Sequence, residues 1–261
     1  MNSSKFPQTE LVARTLPPTA IDDRGVEHVD YNLLGVTLPA RLLEVGCGRG
    51  WQSIELAQVG FQVWGVDISL GLLADFWYAL AQRPALHNSC LALAGSAFEL
   101  PFADSTFDVI FCTEVLEHLA EPQRAVRELA RVLAPGGKVF ITVPSVISEK
   151  VLGALHRRWR EYNGHLRPLP TDEVRSWLAV SALETYAIRK LGFEWATFWL
   201  PHAVLQTPFD VTGLPACHHL VSRGYWKFWR GLDKLGLGRF LRRKGNLVFP
   251  KSIGFYARKP E

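Results

Sequence analysis

Residues 41–50, Arg41-Leu42-Leu43-Glu44-Val45-Gly46-Cys47-Gly48-Arg49-Gly50, decide how this chain is read. An apolar run of strand character meets a carboxylate and then three glycines at alternating positions. Glycine reaches φ values closed to other residues and lets a ligand approach the main chain. A helix starting just after, at Trp51, turns its free N–H groups and positive dipole end toward that ligand. Strand, loop and helix together read as a nucleotide-type cofactor site. Dinucleotide sites favour G-x-G-x-x-G, with the last glycine one place later. Here the pattern is E-x-G-x-G-x-G, with Glu44 two residues before Gly46. A carboxylate at the loop disfavours a diphosphate and suits a ligand that carries positive charge.

Outward from this stretch, strands and helices alternate. Strands are expected at 41–45, 62–66, 91–94, 107–112 and 138–143. Helices are expected at 51–58, 70–82 and 122–133. The last of these has Ala125, Val126, Leu129, Val132 and Leu133 as its apolar stripe and Pro135-Gly136-Gly137 as its stop. This alternation predicts right-handed βαβ units, hence an α/β fold with a doubly wound, Rossmann-like sheet, mostly parallel. Residues 171–191 read as largely helical, and 194–200 and 252–258 as late strands. The whole chain, 1–261, reads as a single domain. It has an N-terminal cap over 1–40, with a short helix near 27–34, and a basic, aromatic insertion over 201–250 between the last two strands.

Asp67 closes the second strand, seventeen positions after Gly50. A carboxylate there is placed to accept from both ribose hydroxyls of a nucleoside ligand; alternatively Asp67-Ile68-Ser69 caps the next helix. Gly95-Ser96-Ala97 leads to Leu100-Pro101-Phe102 and Phe107-Asp108, with Asp108 expected to be structural. After the fourth strand comes Cys112-Thr113-Glu114-Val115-Leu116-Glu117-His118-Leu119. If that segment is helical, Glu114, Glu117 and His118 share one face. It lies at the carboxyl edge of the sheet, where open α/β folds bind ligands.

In this order, these segments resemble the class I S-adenosylmethionine-dependent methyltransferases, in particular the type 11 and ubiquinone-pathway members. The resemblance covers about residues 41–194 plus the final strand, and implies a seven-stranded sheet whose last strand is antiparallel. It implies S-adenosyl-L-methionine as cofactor, with Glu44, Gly46, Gly48 and Gly50 at the methionine end and Asp67 at the ribose. Ile68, Ser96, Ala97 and Phe98 fall at the adenine, and Thr113 at the edge of the same pocket. Ser96 stands where the family usually has an acid, which removes charge assistance from the adenine contact. Three readings of Glu114, Glu117 and His118 stay open: a pocket-lining polar face, acid–base work with His118 taking a proton from the acceptor, or a divalent-metal site. The last is suggested because the E-V-x-E-H string resembles the magnesium ligands of ubiquinone-pathway and small-RNA 2′-O-methyltransferases. Gly164-His165-Leu166-Arg167 resembles the family's segment after the fifth strand. His165 is therefore a second acceptor-contacting candidate or a fourth metal ligand, and equally an exposed loop histidine. His118, Glu114 and His165 are the catalytic candidates, with no metal assigned.

Composition narrows the partners. The 261 residues are 48% hydrophobic, enough for a sizeable core. No apolar run approaches the ~20 residues of a membrane span. Four scattered cysteines without a C-x-x-C pair argue against zinc and disulfides, fitting a cytoplasmic protein. Net charge is +4, but residues 223–251 carry nine Lys/Arg and one acid, so the remainder is acidic. Basic residues beside Trp226, Phe228, Trp229, Leu232 and Leu235 suggest peripheral membrane contact through 223–244; a lid helix with a solvated basic rim is the rival. Six tryptophans after residue 150 read as an acceptor pocket or as core filling. The expected activity is methyl transfer to O, N or C of a small-molecule or lipid-linked acceptor, with nucleic acid disfavoured. The alternatives are a metal-dependent RNA 2′-O-methyltransferase, a non-catalytic cofactor-binding protein and a nicotinamide oxidoreductase.

Overall fold

The structure, a computed structural model, describes residues 29–204 and 218–261. The first part of the N-terminal cap expected over 1–40 and the start of the 27–34 helix lie outside the described residues. What remains of that helix is α1 (Tyr31–Leu34), capped by the Asp30 side chain.

The first five strands are β1 (Arg41–Val45), β2 (Gln62–Asp67), β3 (Cys90–Ala94), β4 (Phe107–Thr113) and β5 (Leu133–Pro144). The helices between them are α2 (Trp51–Gln58), α3 (Leu70–Ala81) and α4 (Pro122–Val132). Then follow α5 (Val146–Leu155), α6 (Trp159–Asn163), α7 (Thr171–Val180), β6 (Glu184–Leu191), α8 (Phe193–Val204), α9 (His218–Lys234), α10 (Leu237–Val248) and β7 (Ser252–Arg258). They build one seven-stranded sheet in the order β3-β2-β1-β4-β5-β7-β6. The first five strands run parallel, and β7 lies antiparallel between β5 and β6.

Side chains alternate across the strands and feed two cores. Leu42, Val109 and Phe111 face the layer of α2 and α3, with Ile54, Leu56, Leu73 and Phe76. Leu43, Ile110 and Cys112 face the layer of α4 and α7, with Val126, Leu129, Val174 and Leu178. The α4 stripe is fully buried there, and each such aliphatic side chain contributes about 1.5–3 kcal/mol. The strand order reverses between the parallel neighbours β1 and β4, so the loops after these two strands splay apart at the carboxyl edge and leave a crevice.

Three expectations need correction. Residues 184–191 form strand β6 rather than continuing the helix. It is a sheet edge with little burial, so its Tyr and Ile at alternate positions were masked by Arg189 and Lys190. Residues 194–200 are helical, within α8. There Trp195, Phe198, Trp199 and His202 recur at helical spacing and are all buried, and this period overrides the strand preference of the individual residues. The insertion between the last two strands accordingly begins at Phe193 and consists of α8, α9 and α10. Finally, Glu114 to His118 is no α-helix: only Leu116–His118 form a short 3-10 turn. The tryptophans fill a core, and two of them, Trp159 and Trp199, also border a cavity. Trp159, Trp195, Trp199, Trp226 and Trp229 form a third core that packs α8 and α9 onto α5 and α6.

Candidate active site

The glycine loop turns as its sequence requires. Gly46, Gly48 and Gly50 have φ of 75°, 51° and 74°, all left-handed. A Cβ on Gly46 would overlap the Val115 side chain, and one on Gly50 the Phe76 ring. A Cβ on Gly48 would meet only Leu72, at 3.9 Å. Two of the glycines thus serve packing beneath the loop, and the third faces open space.

Asp67 reaches across from β2. Its two oxygens accept from the Gly48 and Ser69 N–H groups, both at 2.8 Å. Within the same run, Ser69 caps α3. Ile68 is largely exposed beside it, free to cover a flat ligand. Ser96 closes its own turn, its hydroxyl accepting from the Phe98 N–H at 3.2 Å. Phe98 packs at the margin of the core beneath the Arg124 guanidinium, 5.4 Å from its ring centre. Ala97 lies between the two, also at the core margin.

Glu44 is buried under the loop and accepts from the Ser53 hydroxyl on α2. Burial pushes its pKa up to about 8, and the Ser53 hydrogen bond offsets only part of that rise. Next to Ser53, Gln52 is also buried. Its Oε1 accepts from Thr113 at 3.4 Å, while Nε2 has no partner among the described residues. Gln52 was missed in the sequence because a lone amide after a glycine loop looks like any exposed helix residue.

After β4 the backbone enters the left-handed region at Glu114, with φ 53°. A non-glycine residue there is strained by about 1–2 kcal/mol and is held by its surroundings. The Glu114 N–H donates to the Thr142 carbonyl and hydroxyl at 3.1 Å each, and the Thr142 hydroxyl donates to Glu114 Oε1 at 3.0 Å. Oε2 pairs with Lys251 Nζ at 2.8 Å. The kink, rather than a helical face, brings Glu114 toward His118.

The loop after α6 then closes over the turn. The Leu166 N–H donates to the Glu117 carbonyl at 2.9 Å, and the His118 and His165 rings meet edge-on at 5.0 Å. His118 Nδ1 lies 3.1 Å from the Gly164 carbonyl. A carbonyl only accepts, so Nδ1 carries the hydrogen and Nε2 keeps the lone pair when the ring is neutral. Burial and the neighbouring His165 lower the His118 pKa, which favours that neutral form. His165 is anchored by buried Glu149, Nδ1 to Oε1 3.2 Å, which also accepts from the Trp159 indole at 3.0 Å. Burial raises the Glu149 pKa, but His165 and Trp159 outweigh it and the carboxylate stays ionised. His165 is therefore no exposed loop histidine.

Glu114, His118, His165, Glu149, Trp159, Trp199 and Lys251 line a cavity of about 240 Å³. Glu117, His118 and His165 each offer a ligand atom within 4.8 Å of the others. These are three of the four residues in the metal set implied by the E-V-x-E-H resemblance; the fourth, Glu114, is paired with Lys251. Glu149 and Lys251 carried no local signal. One is a carboxylate in an apolar helix, the other one more cation after a basic run.

The profile of a family described as "Methyltransferase domain" matches residues 43–141. The chain is 32% identical over 165 residues to the ubiquinone biosynthesis O-methyltransferase of Idiomarina loihiensis, covering 59% of this chain and 65% of that protein. The chain carries an S-adenosylmethionine-dependent methyltransferase domain. A second relative is the ubiquinone biosynthesis O-methyltransferase of Xanthomonas campestris pv. campestris, 29% identical over 237 residues, 82% of this chain and 95% of that one. The chain thus spans just under two thirds of the first relative and nearly all of the second. Among solved structures, a putative sarcosine dimethylglycine methyltransferase from Galdieria sulphuraria shares the fold. Its TM-score is 0.61 at 18% identity, covering 97% of this chain and 85% of that one. In this methyltransferase the glycine loop and Asp67 form one rim of the crevice and the Glu114–His118 turn the other.

Proposed function

We propose that this methyltransferase transfers a methyl group from S-adenosylmethionine to a hydroxyl oxygen of a small or lipid-linked molecule held in the 240 Å³ cavity. The donor pocket fits that cofactor on its own terms. Gly48 leaves space where a ligand must approach, Asp67 offers acceptor oxygens to the ribose, and Ile68 and Ala97 border the adenine. Gln52 Nε2 and Glu44 suit the carboxylate and amino groups of the methionine end. When bound, S-adenosylmethionine supplies a methyl group already activated as a sulfonium. The main demand on the chain is then alignment, with removal of the acceptor proton second.

The single observation that carries the oxygen-acceptor reading is His118. Its tautomer is fixed by the Gly164 carbonyl, its pKa is lowered, and it lines the cavity. Nε2 takes the hydroxyl proton, while His165, beside it and held by Glu149, orients the acceptor. The relatives named for ubiquinone biosynthesis support a small-molecule acceptor over RNA. Incubating the protein with methyl-labelled S-adenosylmethionine and a panel of phenols, with and without RNA, tests this. Label on phenol oxygen supports it; label on RNA alone overturns it.

We further propose that α9 and α10 rest on a membrane surface from the cytoplasmic side. No helix among the described residues is long and apolar enough to cross a membrane. Phe228, Leu235, Leu237, Phe240, Leu247 and Val248 are instead exposed beside Lys227, Arg230, Lys234, Arg239, Arg243 and Lys244. Apolar side chains that insert and cations that meet anionic headgroups are what interfacial binding needs. Flotation with phosphatidylglycerol vesicles at low salt is expected to carry the protein upward, and with phosphatidylcholine alone not. No flotation on either sinks the idea.

A further inference from the structure

A second cleft shares Glu149 and Trp159 with the cavity described above. It encloses about 420 Å³, within the range of small-ligand sites. Its lining comes from α5, the α5–α6 connection and α6, and includes Lys150, Arg157, Arg158 and Arg160. Two acids line it as well, and both are engaged within the chain. Buried Glu149 accepts from the Trp159 indole at 3.0 Å and pairs with His165 at 3.2 Å. Glu161 pairs with Arg158, whose guanidinium lowers its pKa. Arg158 also donates to the Tyr162 hydroxyl at 3.2 Å. The Lys150 ammonium and the Arg160 guanidinium have no hydrogen-bond or ion-pair partner among the described residues, though the charge of Arg160 helps keep Glu149 ionised. The frame beneath them is held by Trp159, buried in the third core, and by buried His156, whose carbonyl accepts from the Trp159 N–H at 3.1 Å and whose Nδ1 accepts from the Arg158 N–H at 3.2 Å.

We propose that this cleft binds the phosphate group of a phosphomonoester, with Lys150 and Arg160 as its main partners and Arg157 adding to the field. A concave surface lined by one sign of charge concentrates the opposite ion. The lining carries two more cations than acids. A phosphomonoester brings about −1.5 to −2 charges and balances that excess, where a carboxylate balances half of it. The planar guanidinium of Arg160 suits a phosphate that presents two oxygens, and the Lys150 ammonium adds a compact charge. A soluble phosphoester and a lipid headgroup offer the same chemistry. The site stands whether or not the neighbouring cavity takes the methyl acceptor.

Calorimetric titration of the full chain with glycerol 3-phosphate, at an ionic strength fixed with chloride, tests the soluble form. Flotation with phosphatidylcholine vesicles containing phosphatidic acid tests the headgroup form. Lys150→Gln and Arg160→Gln are each expected to weaken binding at least fivefold, as the loss of one charged partner does, and the double variant to abolish it. A control pair on α9, Arg230→Gln with Lys234→Gln, should bind glycerol 3-phosphate within twofold of wild type. Heat with glycerol 3-phosphate that the double variant loses supports a soluble phosphoester. Flotation that the double variant loses, without such heat, supports a lipid headgroup. Neither heat nor a double-variant effect on flotation overturns the proposal, and so does an equal loss in the α9 pair, which marks general attraction to a basic chain. Urea unfolding checks that each variant folds. If one does not, modification of wild type by phenylglyoxal decides, read by mass spectrometry with and without whichever probe wild type binds. Arg160 should be protected at least fivefold and Arg230 not, and an unprotected Arg160 overturns the proposal.

Discussion

Glu44→Gln should flatten part of the pH dependence of folding. In the folded protein burial lifts the Glu44 pKa from the usual 4.5 to about 8. In the unfolded chain the same group ionises near 4.5. Between these values the folded state keeps a proton that the unfolded state has lost, so stability from this group is full below pH 4.5 and falls as pH rises to about 8. Each pH unit in that window costs about 1.4 kcal/mol, so from pH 5.5 to 7.0 the loss is about 2 kcal/mol. Glutamine has the shape of the protonated acid and no proton to lose. Urea unfolding of wild type and Glu44→Gln at pH 5.5, 6.25 and 7.0 should give curves that diverge by about 2 kcal/mol, the variant gaining. His118, whose lowered pKa makes stability rise with pH nearby, is common to both proteins and drops out of the difference. Parallel curves would refute the buried, protonated Glu44. Bound S-adenosylmethionine, whose amino group is cationic, should release that proton. Calorimetry at pH 7 in two buffers of different ionisation enthalpy is expected to show the release.

Gly50→Ala drives a Cβ into the Phe76 ring at φ 74° and should cost about 3 kcal/mol in urea unfolding, combining left-handed strain with overpacking. Gly48→Ala meets open space and should cost about 1 kcal/mol, yet weaken S-adenosylhomocysteine binding more than Gly50→Ala does. His118→Asn should slow transfer to a phenol by about 10²–10⁴-fold and leave S-adenosylhomocysteine affinity within twofold. In wild type the rate should rise with pH through a pKa below the usual imidazole value and then level off, because the base works deprotonated. A rate still climbing at pH 8 would remove His118 from that role. Arg131 bonds the Leu100 and Phe102 carbonyls and Glu128 at once, so Arg131→Met should lower the melting temperature without altering cofactor affinity.

The parallel half of the sheet was legible because its strands are buried on both sides. Continuous apolar runs such as Phe107–Cys112 admit one reading, and Pro122 and Gly136 mark the helix between β4 and β5. The second half was harder for a physical reason. β6 is an exposed edge with Arg189 and Lys190 in its run, and α8 is buried nearly all round, so its period is hidden among aromatic residues. The candidate donor residues carry local signals, glycine spacing and Asp67. The candidate acceptor side carries none: Glu149, Thr142 and Lys251 come from α5, β5 and the residue before β7, and only the sheet order brings them to Glu114 and His165. Glu114 depends on a left-handed kink that a helical reading of residues 114–118 replaces with the wrong geometry.

The central claim is that the loop at Glu44–Gly50 and Asp67 hold S-adenosylmethionine. Calorimetric titration with S-adenosylhomocysteine, run beside NADH, tests it most directly. The expected result is one S-adenosylhomocysteine per chain, at least tenfold weaker binding in Asp67→Ala, and no heat with NADH. Binding of NADH with none of S-adenosylhomocysteine would contradict it.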